Sequence, residues 1–294
     1  MENIQLSYRY EFEPSELQNI RDCKEKHGFA IVKQMLSRHN VERLKDEVRR
    51  VIGPMFQDDT TLSITDPSFI EKSPVMAELL AYEPLMHLAS FLNGNQPITL
   101  NRSAGIYKKP GAAGDAARSG VHAWHTDWDP LEHPYGANAV LNNSGAPSLW
   151  FYLTGSTPQN GGLAIVPDSH TDDWSGPAGF EFTPGRKSFY PTGSEPVSYC
   201  GMDVPGMLPV VTEPGDLVIF AERTYHGVYA HRGSEARLSC GLSFRSSARE
   251  LGPRWPVTES ARRFIEVCSC ERKHLVEGYT GFDGSWRSSP TSQA

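Results

Sequence analysis

Along the first 95 residues, hydrophobic positions mostly recur at the spacing of an amphipathic helix. The helices that this spacing predicts cover 14–26, 37–52 and 74–92. In the first of them Leu17, Ile20 and Cys23 share one face, and Gly28 follows where the helix should end. The continuous apolar run 29–32 suits a short strand instead. This first third of the chain is therefore expected to be mainly helical.

From about residue 98 onward, short runs of β-forming residues alternate with Gly, Pro, Asn and Asp. The candidate strands are 98–108, 121–127, 147–155, 162–167, 208–212, 216–221, 225–230 and 236–246. Short strands at this spacing predict a double-sheet jelly roll or barrel, and so a mainly β fold. Long Gly/Pro-rich loops are predicted over 110–120 and 171–206, and a last helix over 259–273. We expect a single domain, 1–294, made of a helical support (1–95), a β core (98–248) and a C-terminal helix and tail (249–294).

The composition is that of an ordinary globular protein, with 38% hydrophobic and 21% charged residues among 294. A net charge of -7 argues against nucleic acid as a partner, because a phosphate-binding surface would make the balance basic. The five cysteines are scattered and odd in number, which indicates a reducing compartment and not a disulfide framework. Neither a signal peptide nor an apolar run of membrane-spanning length is visible, so we expect no membrane association and a cytoplasmic location.

The sharpest local feature is the segment Trp124-His125-Thr126-Asp127, within one predicted strand. Residues i and i+2 of a strand face the same side, so His125 and Asp127 project an imidazole and a carboxylate toward one point. Two histidines and one carboxylate on one face of a metal leave open positions, as in mononuclear iron(II) oxygenases. The plainer interpretation is a hydrogen-bonded pair on a barrel wall.

Later strands offer candidates for a third ligand and for an anion-binding cation. His226 follows a turn and an apolar strand, and His231 is its rival five residues later. Arg237 alternates with apolar residues, which would direct it into the barrel, where its guanidinium would suit a carboxylate. Arg245 is the rival on the same strand. The local pattern alone does not choose within either pair.

Taken in order, four blocks of sequence resemble the phytanoyl-CoA dioxygenase-like family of Fe(II)/2-oxoglutarate-dependent oxygenases. The resemblance covers about residues 98–248, with a weaker match at the N-terminal helix and strand. The blocks are Lys109-Pro110-Gly111, Trp124 to Asp127, Asn160 to His170, and Pro214-Gly215-Asp216 through His226-Gly227 to Arg237. The step of eleven residues from His226 to Arg237 is the family's usual one, which favours both over their rivals.

The resemblance implies a double-stranded β-helix that binds iron(II) and 2-oxoglutarate and consumes O2. His125, Asp127 and His226 would hold the metal. Arg237 would bind the distal carboxylate of 2-oxoglutarate, and Trp150 stands where the family can place a co-substrate contact. The implied reaction oxidises a C–H bond of a small molecule and releases succinate and CO2. Related halogenases lack the carboxylate that Asp127 provides, so hydroxylation or another oxygen-type outcome such as desaturation or epoxidation is expected.

Two positions depart from the family pattern. Asp168 replaces the usual glycine of a Pro-Gly-Ser-His block, and aspartate tolerates left-handed backbone conformations. At Ala123 some relatives have a glutamine that contacts the co-substrate. The candidates to replace it as a partner of the C1 carboxylate of 2-oxoglutarate are Lys108, Tyr107 and Thr154.

The substrate is less defined by the sequence. Trp128 and Tyr225 are candidates for substrate contact, and further aromatic residues stand at positions 124, 150, 152, 174 and 229. These suggest an apolar or ring-containing small molecule, such as an intermediate of specialised metabolism, and analogy with the family suggests a homodimer. Two other functions stay open: a cupin-like metalloenzyme without 2-oxoglutarate, in which Arg237 would bind a substrate carboxylate, and a catalytically silent partner subunit.

Overall fold

The structure of the protein is a computed structural model that describes residues 6–111, 122–127, 147–247 and 256–283. The strands of these ranges are β1 (Glu11–Phe12), β2 (Phe29–Val32), β3 (Ser63–Asp66), β4 (Ile98–Lys108), β5 (His122–His125), β6 (Ser148–Tyr152), β7 (Leu163–Ile165), β8 (Phe180–Phe182), β9 (Phe189–Pro191), β10 (Leu208–Pro209), β11 (Leu217–Phe220), β12 (His226–Val228) and β13 (Arg237–Ser246). The α-helices are α1 (Leu17–His27), α2 (Arg38–Ile52), α3 (Phe69–Lys72), α4 (Pro74–Glu78), α5 (Glu83–Leu92) and α6 (Glu259–Val267). Short 3-10 turns cover Gly53–Met55, Leu79–Ala81, Pro184–Arg186 and Cys270–Leu275.

The helix α2 forms where the hydrophobic spacing predicts it. Ser37 caps its first turn, since the Ser37 hydroxyl accepts a hydrogen bond from the backbone N–H of Asn40 at 3.2 Å. Val41, Leu44 and Val48 recur on one face and are buried. This face packs against the large sheet, so α2 is stabilised mainly by burial of its apolar stripe.

Gly28 ends α1 as predicted, in the left-handed conformation with φ of 80°. A side chain there would also collide with the neighbouring turn, because a Cβ atom would lie 2.7 Å from both Thr224 Oγ1 and His170 Nδ1. The close approach joins the end of α1 to the segment before β12. Glycine is therefore required at position 28 both by backbone conformation and by space.

Two predicted helices are interrupted in the structure. The predicted helix 74–92 is α4, a 3-10 turn and α5, with an extended Tyr82 (ψ of 98°) before α5. Pro84 explains the break, because in the first turn of α5 its missing N–H is harmless, whereas inside one continuous helix it would cost a hydrogen bond. The predicted helix 259–273 likewise ends as α6 at Val267, and a 3-10 turn follows.

The strands of the described residues form a large and a small sheet and a separate hairpin. The large sheet has the order β1-β2-β11-β6-β13-β4-β3, the small sheet has the order β10-β7-β12-β5, and β8 pairs with β9. Each of the eight predicted runs contains one of these strands. The chain is therefore a mixed α/β protein with large sheets, consistent with a jelly roll.

The first 95 residues are more than a helical support. β2 pairs with β11 at one side of the large sheet, and β3 pairs with β4 at the other. Propensity alone missed β1 and β3 because each is too short to show a period-2 pattern. The predicted loop 171–206 likewise contains the β8–β9 hairpin, whose phenylalanines pack into an aromatic cluster.

The main core lies between the helices and one face of the large sheet, while the other face of that sheet turns toward the small sheet. Successive residues of β6 face these two regions in turn. Phe151 packs with the helices, and Tyr152 packs with the residues between the two sheets. None of the helices in the described parts of the chain has the length and apolar character that crossing a membrane requires.

Candidate metal and co-substrate site

The three predicted metal ligands come together at the edge of the small sheet. His125 is the last residue of β5 and His226 the first of β12, and the two are paired across these antiparallel strands. Nε2 of His125 lies 3.9 Å, and Nε2 of His226 3.7 Å, from Oδ1 of Asp127. One ligand atom from each of the three lies within 4.8 Å of the others. The side chains thus converge on one point, as ligands of a metal ion must.

Backbone carbonyls orient both imidazole rings. Nδ1 of His125 lies 2.7 Å from the carbonyl oxygen of Ala123. Nδ1 of His226 lies 3.0 Å from the carbonyl oxygen of Thr224. Because a carbonyl only accepts, each Nδ1 carries a hydrogen, and each Nε2 is the nitrogen directed toward Asp127.

The electrostatics of the triad suit a divalent cation. Burial, together with the neighbouring His226, lowers the pKa of His125 to about 4, so this ring is neutral at pH 7. Burial acts against the charge of Asp127, but His226 and His125 outweigh it and hold the pKa of this carboxyl below its usual range. The Ser148 hydroxyl donates to Oδ2 of Asp127 at 3.4 Å. A neutral imidazole beside an ionised carboxylate is the protonation state that binds metal.

The rival histidine is committed elsewhere. Nε2 of His231 lies 2.8 Å from the carbonyl oxygen of Glu235, and Nδ1 accepts from the backbone N–H of Gly233 at 3.1 Å. Both ring nitrogens are used inside one local turn. The structure therefore brings His226, and not His231, to His125 and Asp127.

The triad borders a cavity of about 340 Å³ between the two sheets. Besides the triad, the wall includes Arg102, Ile106, Ser148, Trp150, Arg237 and Gly241 from the large sheet, Leu163 and Val228 from the small one, Glu222 from the turn between β11 and β12, and Tyr279 and Phe282 from the C-terminal segment (256–283). A concave, largely apolar site with a few polar groups is the usual form of a small-molecule site.

Arg237 points into this cavity, as its alternation predicted. Only 3% of the residue is exposed, and its Nη1 donates to the carbonyl oxygen of Gly161 at 2.5 Å. Gly161 has φ of 72°, and a Cβ atom there would lie 2.9 Å from His231 Cβ and 3.1 Å from Lys108 Nζ. The Asn-Gly-Gly motif therefore holds a backbone carbonyl against the guanidinium. The rival Arg245 instead donates to the carbonyl oxygen of Gly278 at 3.0 Å.

A second cation lies beside Arg237. Lys108 is fully buried on β4, directly across from Arg237 in the strand pairing, and its Nζ donates to the carbonyl oxygen of Tyr229 at 2.9 Å. Burial, and then the charge of Arg237, lower the pKa of Lys108 to about 7. Two adjacent buried cations repel each other, so an anion bound between them would be favoured.

The other candidates for co-substrate contact differ in where their side chains lie. Trp150 lies on the cavity wall. Tyr107 is next to Lys108 on β4 and so faces the opposite side, where its ring contacts Phe56 at a centroid distance of 5.1 Å. The hydroxyl of Thr154 accepts from the backbone N–H of Leu238 at 3.1 Å. Among these candidates Trp150 lines the cavity, Lys108 lies beside Arg237 without lining it, and Tyr107 and Thr154 are not part of the cavity wall.

The two candidates for substrate contact have a different outcome from the three metal ligands. Trp128 lies outside the described residues. Tyr225 is buried on the face opposite to its neighbour His226, where its hydroxyl donates to the carbonyl oxygen of Arg186 and its ring lies 4.9 Å from that of Trp174. Of the aromatic positions expected near the substrate, 150 and 152 line the cavity, whereas 124, 174, 225 and 229 join the aromatic cluster against the β8–β9 hairpin.

Sequence reasoning missed two charged residues of the cavity wall. Arg102 lies on β4 at a period-2 spacing from Lys108, a signal that could have identified it. Glu222 is only 3% exposed, and burial raises its pKa to about 7. Nothing in the sequence distinguishes Glu222 from a solvated turn residue, because its burial depends on how the turn before β12 packs.

Asp168 adopts the conformation expected of it. Its φ is 63°, in the left-handed region, and its carboxylate lies 2.7 Å from Nδ1 of His27. The side chain therefore replaces a glycine while tying the turn after β7 to the end of α1. His170 also contacts α1 from this turn, because its Nε2 lies 2.9 Å from the carbonyl oxygen of Glu25.

Several solved structures share this fold. The epimerase SnoN, in a complex with Fe3+, alpha ketoglutarate and nogalamycin RO, is 20% identical, with a TM-score of 0.60 over 82% of this chain and 87% of that one. HygX from Streptomyces hygroscopicus, with nickel, 2-oxoglutarate and hygromycin B bound, is 17% identical, with a TM-score of 0.59 over 90% and 96%. EctD from S. alaskensis, in its apoform, is 21% identical, with a TM-score of 0.55 over 85% and 82%. At these identities the likeness shows the fold.

No curated protein sequence matches the chain significantly. The family model described as phytanoyl-CoA dioxygenase (PhyH) matches residues 24–239. The matched range contains the His125, Asp127 and His226 triad as well as Arg237, and it spans well over half of the 294 residues. The chain belongs to the phytanoyl-CoA dioxygenase (PhyH) family.

Proposed function

We propose that this protein is an Fe(II)- and 2-oxoglutarate-dependent dioxygenase that oxidises a C–H bond of a small molecule. One arrangement carries the proposal: two imidazoles and a carboxylate converge at the wall of a cavity that also contains a buried arginine. The two facing sheets are, on this reading, the double-stranded β-helix expected from the sequence. Residues 1–294 would form one such domain.

His125, Asp127 and His226 fit iron(II) as a set of ligands. They provide three donors on one side, and their Nε2 and Oδ1 atoms are oriented by a carbonyl behind each ring and by Ser148. Three protein ligands leave open positions for a co-substrate and dioxygen. When bound, the metal and 2-oxoglutarate would supply the activation of dioxygen, with release of succinate and CO2.

Arg237 would bind the distal carboxylate of 2-oxoglutarate through the fork of its guanidinium, already fixed by the carbonyl of Gly161. Lys108 lies beside it and would add a second positive charge to the same end. Trp150 would form the side wall between these cations and the metal. The pocket would thus hold the co-substrate by charge at one end and by coordination at the other.

The relatives point to natural products as the substrate class. The structures of SnoN and HygX contain nogalamycin RO and hygromycin B. Asp127 supplies the carboxylate that related halogenases lack, which supports oxygen transfer, desaturation or epoxidation over halogenation.

By analogy with the family we also propose a homodimer. A molar mass in solution near that of one chain, 32.6 kDa, would contradict it.

Metal and co-substrate binding test the function before a substrate is found. Under anaerobic conditions, iron(II) with 2-oxoglutarate should give the weak visible charge-transfer band of the chelate in the wild type. Asp127→Ala should lose the band through loss of metal, and Arg237→Met should require more 2-oxoglutarate to reach it. The matched controls are Asp46→Ala and Arg49→Met, two exposed residues of α2.

The outcomes separate the alternatives. A band of equal intensity in Asp127→Ala would refute the metal site. Metal uptake without any 2-oxoglutarate-dependent band, and without succinate release in turnover, would favour the cupin-like metalloenzyme. Failure of the reconstituted protein to take up metal would favour a silent partner subunit.

A further inference from the structure

The cavity has a second pair of charged side chains, Arg102 and Glu222, and the strand register separates Arg102 from the level of Arg237. We propose that Arg102 and Glu222 bind an uncharged hydroxyl group of the substrate, so that the substrate is a neutral, hydroxylated ring compound. This inference rests on the proposed oxygenase function and specifies its substrate class.

The strand register places the Arg102 end of the cavity relative to the co-substrate end. Lys108 and Arg102 lie six residues apart on β4, which at ~3.3 Å per strand residue separates their Cα atoms by about 20 Å. Ser243 of β13 pairs with Arg102 on one side and with Ser148 on the other. Ser148 in turn donates to Asp127. The ligand carboxylate is therefore anchored at the Arg102 end of the sheet, and the space beside it belongs to the substrate.

Glu222 is held rigidly at this end. The backbone N–H of Ala221 donates to the carbonyl oxygen of Gly28 at 2.8 Å, and the hydroxyl of Thr224 donates to the same oxygen at 2.7 Å. A backbone fixed on both sides of Glu222 sets the direction in which this buried side chain leaves the turn, at the wall of the cavity. Such fixed polar groups in a pocket are what confers specificity on small-molecule sites.

The charge of the filled pocket selects against ions. A divalent metal, Asp127, dianionic 2-oxoglutarate and Arg237 together sum to zero charge, and Lys108, with a pKa of about 7, adds up to one positive charge at the co-substrate end. At the other end Arg102 is positive, and Glu222, with a pKa of about 7, is negative when it is ionised. A substrate ammonium would face Arg102 and the metal, and a substrate carboxylate would face Glu222 and Asp127, so either ion would be buried against a like charge. A hydroxyl can accept from the arginine and donate to the carboxylate without adding charge.

The rest of this end is apolar. Phe220, which pairs with Ser148, lines it from the sheet, and Tyr279 and Phe282 line it from the C-terminal segment. Phe282 is 45% exposed, so an aromatic ring stands at the border between cavity and solvent. A cavity of about 340 Å³ must hold the co-substrate as well, which limits the substrate to a compact ring skeleton.

Probe binding near the metal tests this subsite without the natural substrate. The protein is loaded with Mn(II) and 2-oxoglutarate, and paramagnetic broadening of probe protons is titrated by NMR. The probes share one ring: cyclohexanol, methoxycyclohexane, cyclohexylammonium and cyclohexanecarboxylate. We expect the wild type to bind cyclohexanol about tenfold more tightly than the other three, since each lacks the hydrogen-bond donor or introduces a charge.

Variants then assign the preference to the two residues. Glu222→Leu and Arg102→Met should each weaken cyclohexanol binding about tenfold and remove its advantage over methoxycyclohexane. Tyr190→Phe, in the β8–β9 hairpin and far in sequence from the wall, should leave both unchanged. Circular dichroism confirms that the variants fold, and the selectivity of the wild type is informative even if one of them does not.

Each result is decisive. Equal or tighter binding of either ion, no binding of any probe, or unchanged selectivity in both folded variants would overturn the subsite. Broadening of the 2-oxoglutarate protons by Mn(II) reports separately on the proposed function. If it is absent, the oxygenase proposal fails, and if it is present while cyclohexanol is not preferred, only the subsite fails.

Discussion

Replacement of Gly241 by alanine should perturb the co-substrate site through a single side-chain contact. Gly241 on β13 pairs directly with Trp150 on β6, and the indole ring lies across the glycine. A Cβ atom at position 241 would lie 2.0 Å from Cε3 and 2.6 Å from Cζ3 of Trp150. Both distances are far below van der Waals contact, so the ring must move into the cavity or the strands must separate.

The magnitude follows from overpacking, which costs about 1–3 kcal/mol in a well-packed interior. For a protein of this size that corresponds to a fall in the thermal midpoint of several degrees. Because Trp150 lines the cavity, a ring displaced into it would take co-substrate space, and the affinity for 2-oxoglutarate should fall as well. Gly53→Ala is the matched control, since nothing lies within 4 Å of the Cβ position there and the backbone is helical.

The assay is a double-mutant cycle with Trp150→Phe, scored by the thermal midpoint and by the 2-oxoglutarate affinity of the Mn(II)-loaded protein. The smaller ring leaves room for the new methyl group, so Gly241→Ala should cost less in the Trp150→Phe background, with a coupling energy of about 1–2 kcal/mol. Additive effects, or a Gly241→Ala midpoint equal to that of Gly53→Ala, would refute the contact as the cause.

Three further changes have outcomes set by single contacts. Since burial and Arg237 lower the pKa of Lys108 to about 7, 2-oxoglutarate affinity should fall as pH rises through 7. The ligand-free protein should instead gain stability as the pH rises from 7 toward 10, because the lysine binds more protons in the unfolded chain, where its pKa is 10.5. Lys108→Met should abolish both trends, as measured by 2-oxoglutarate titrations and by denaturation curves. Gly161→Ala should cost about 1–2 kcal/mol for the backbone conformation, and more for the close approach to His231, and it should weaken 2-oxoglutarate binding. Gly206→Ala, with φ of 80° and open space around it, should show only the backbone cost in calorimetry and leave binding intact. Asp216→Asn should lower the free energy of unfolding by about 2–3 kcal/mol in urea titrations. This buried carboxylate accepts from Lys33 Nζ at 2.5 Å and from the backbone N–H of Gln34 at 2.9 Å. An unchanged midpoint would show that these hydrogen bonds make no net contribution to stability.

Strand alternation explains both the success and the failure of reading this site from sequence. The period of two placed His125 and Asp127 on one face, and the structure brings them together. The same rule, applied to the neighbour of His226, would have turned Tyr225 away from the cavity, where the structure has it. The choice of Lys108 over Tyr107 could not be made this way. It depends on the pairing of β4 with β13, which brings together residues more than a hundred positions apart.

The same limit applies to the ends of the elements. β4 and α2 were predicted closely because their periodicity runs for ten residues or more. β1 and β3 add edge strands to the large sheet but are two and four residues long, and their hydrogen-bonding partners, not their own composition, make them strands. Pro84 was a readable signal, since it allows a helix to begin but not to continue.

The sequence blocks that resemble the family act mainly by shaping the backbone around the reactive side chains. Gly161 contributes a carbonyl that fixes Arg237, and no residue with a side chain fits there without displacing Lys108 or His231. The Pro-Gly-Asp block ends in Asp216, whose carboxylate accepts from Lys33 and Gln34 directly after β2 and so joins the N-terminal part of the chain to the sheet that carries the cavity. Of the residues that we assign to the substrate, Arg102 belongs to none of these blocks, and Glu222 lies within the fourth, between Asp216 and His226. A scaffold fixed by the blocks, with Arg102 outside them at the substrate end, would allow different substrates to be selected without changes at the metal.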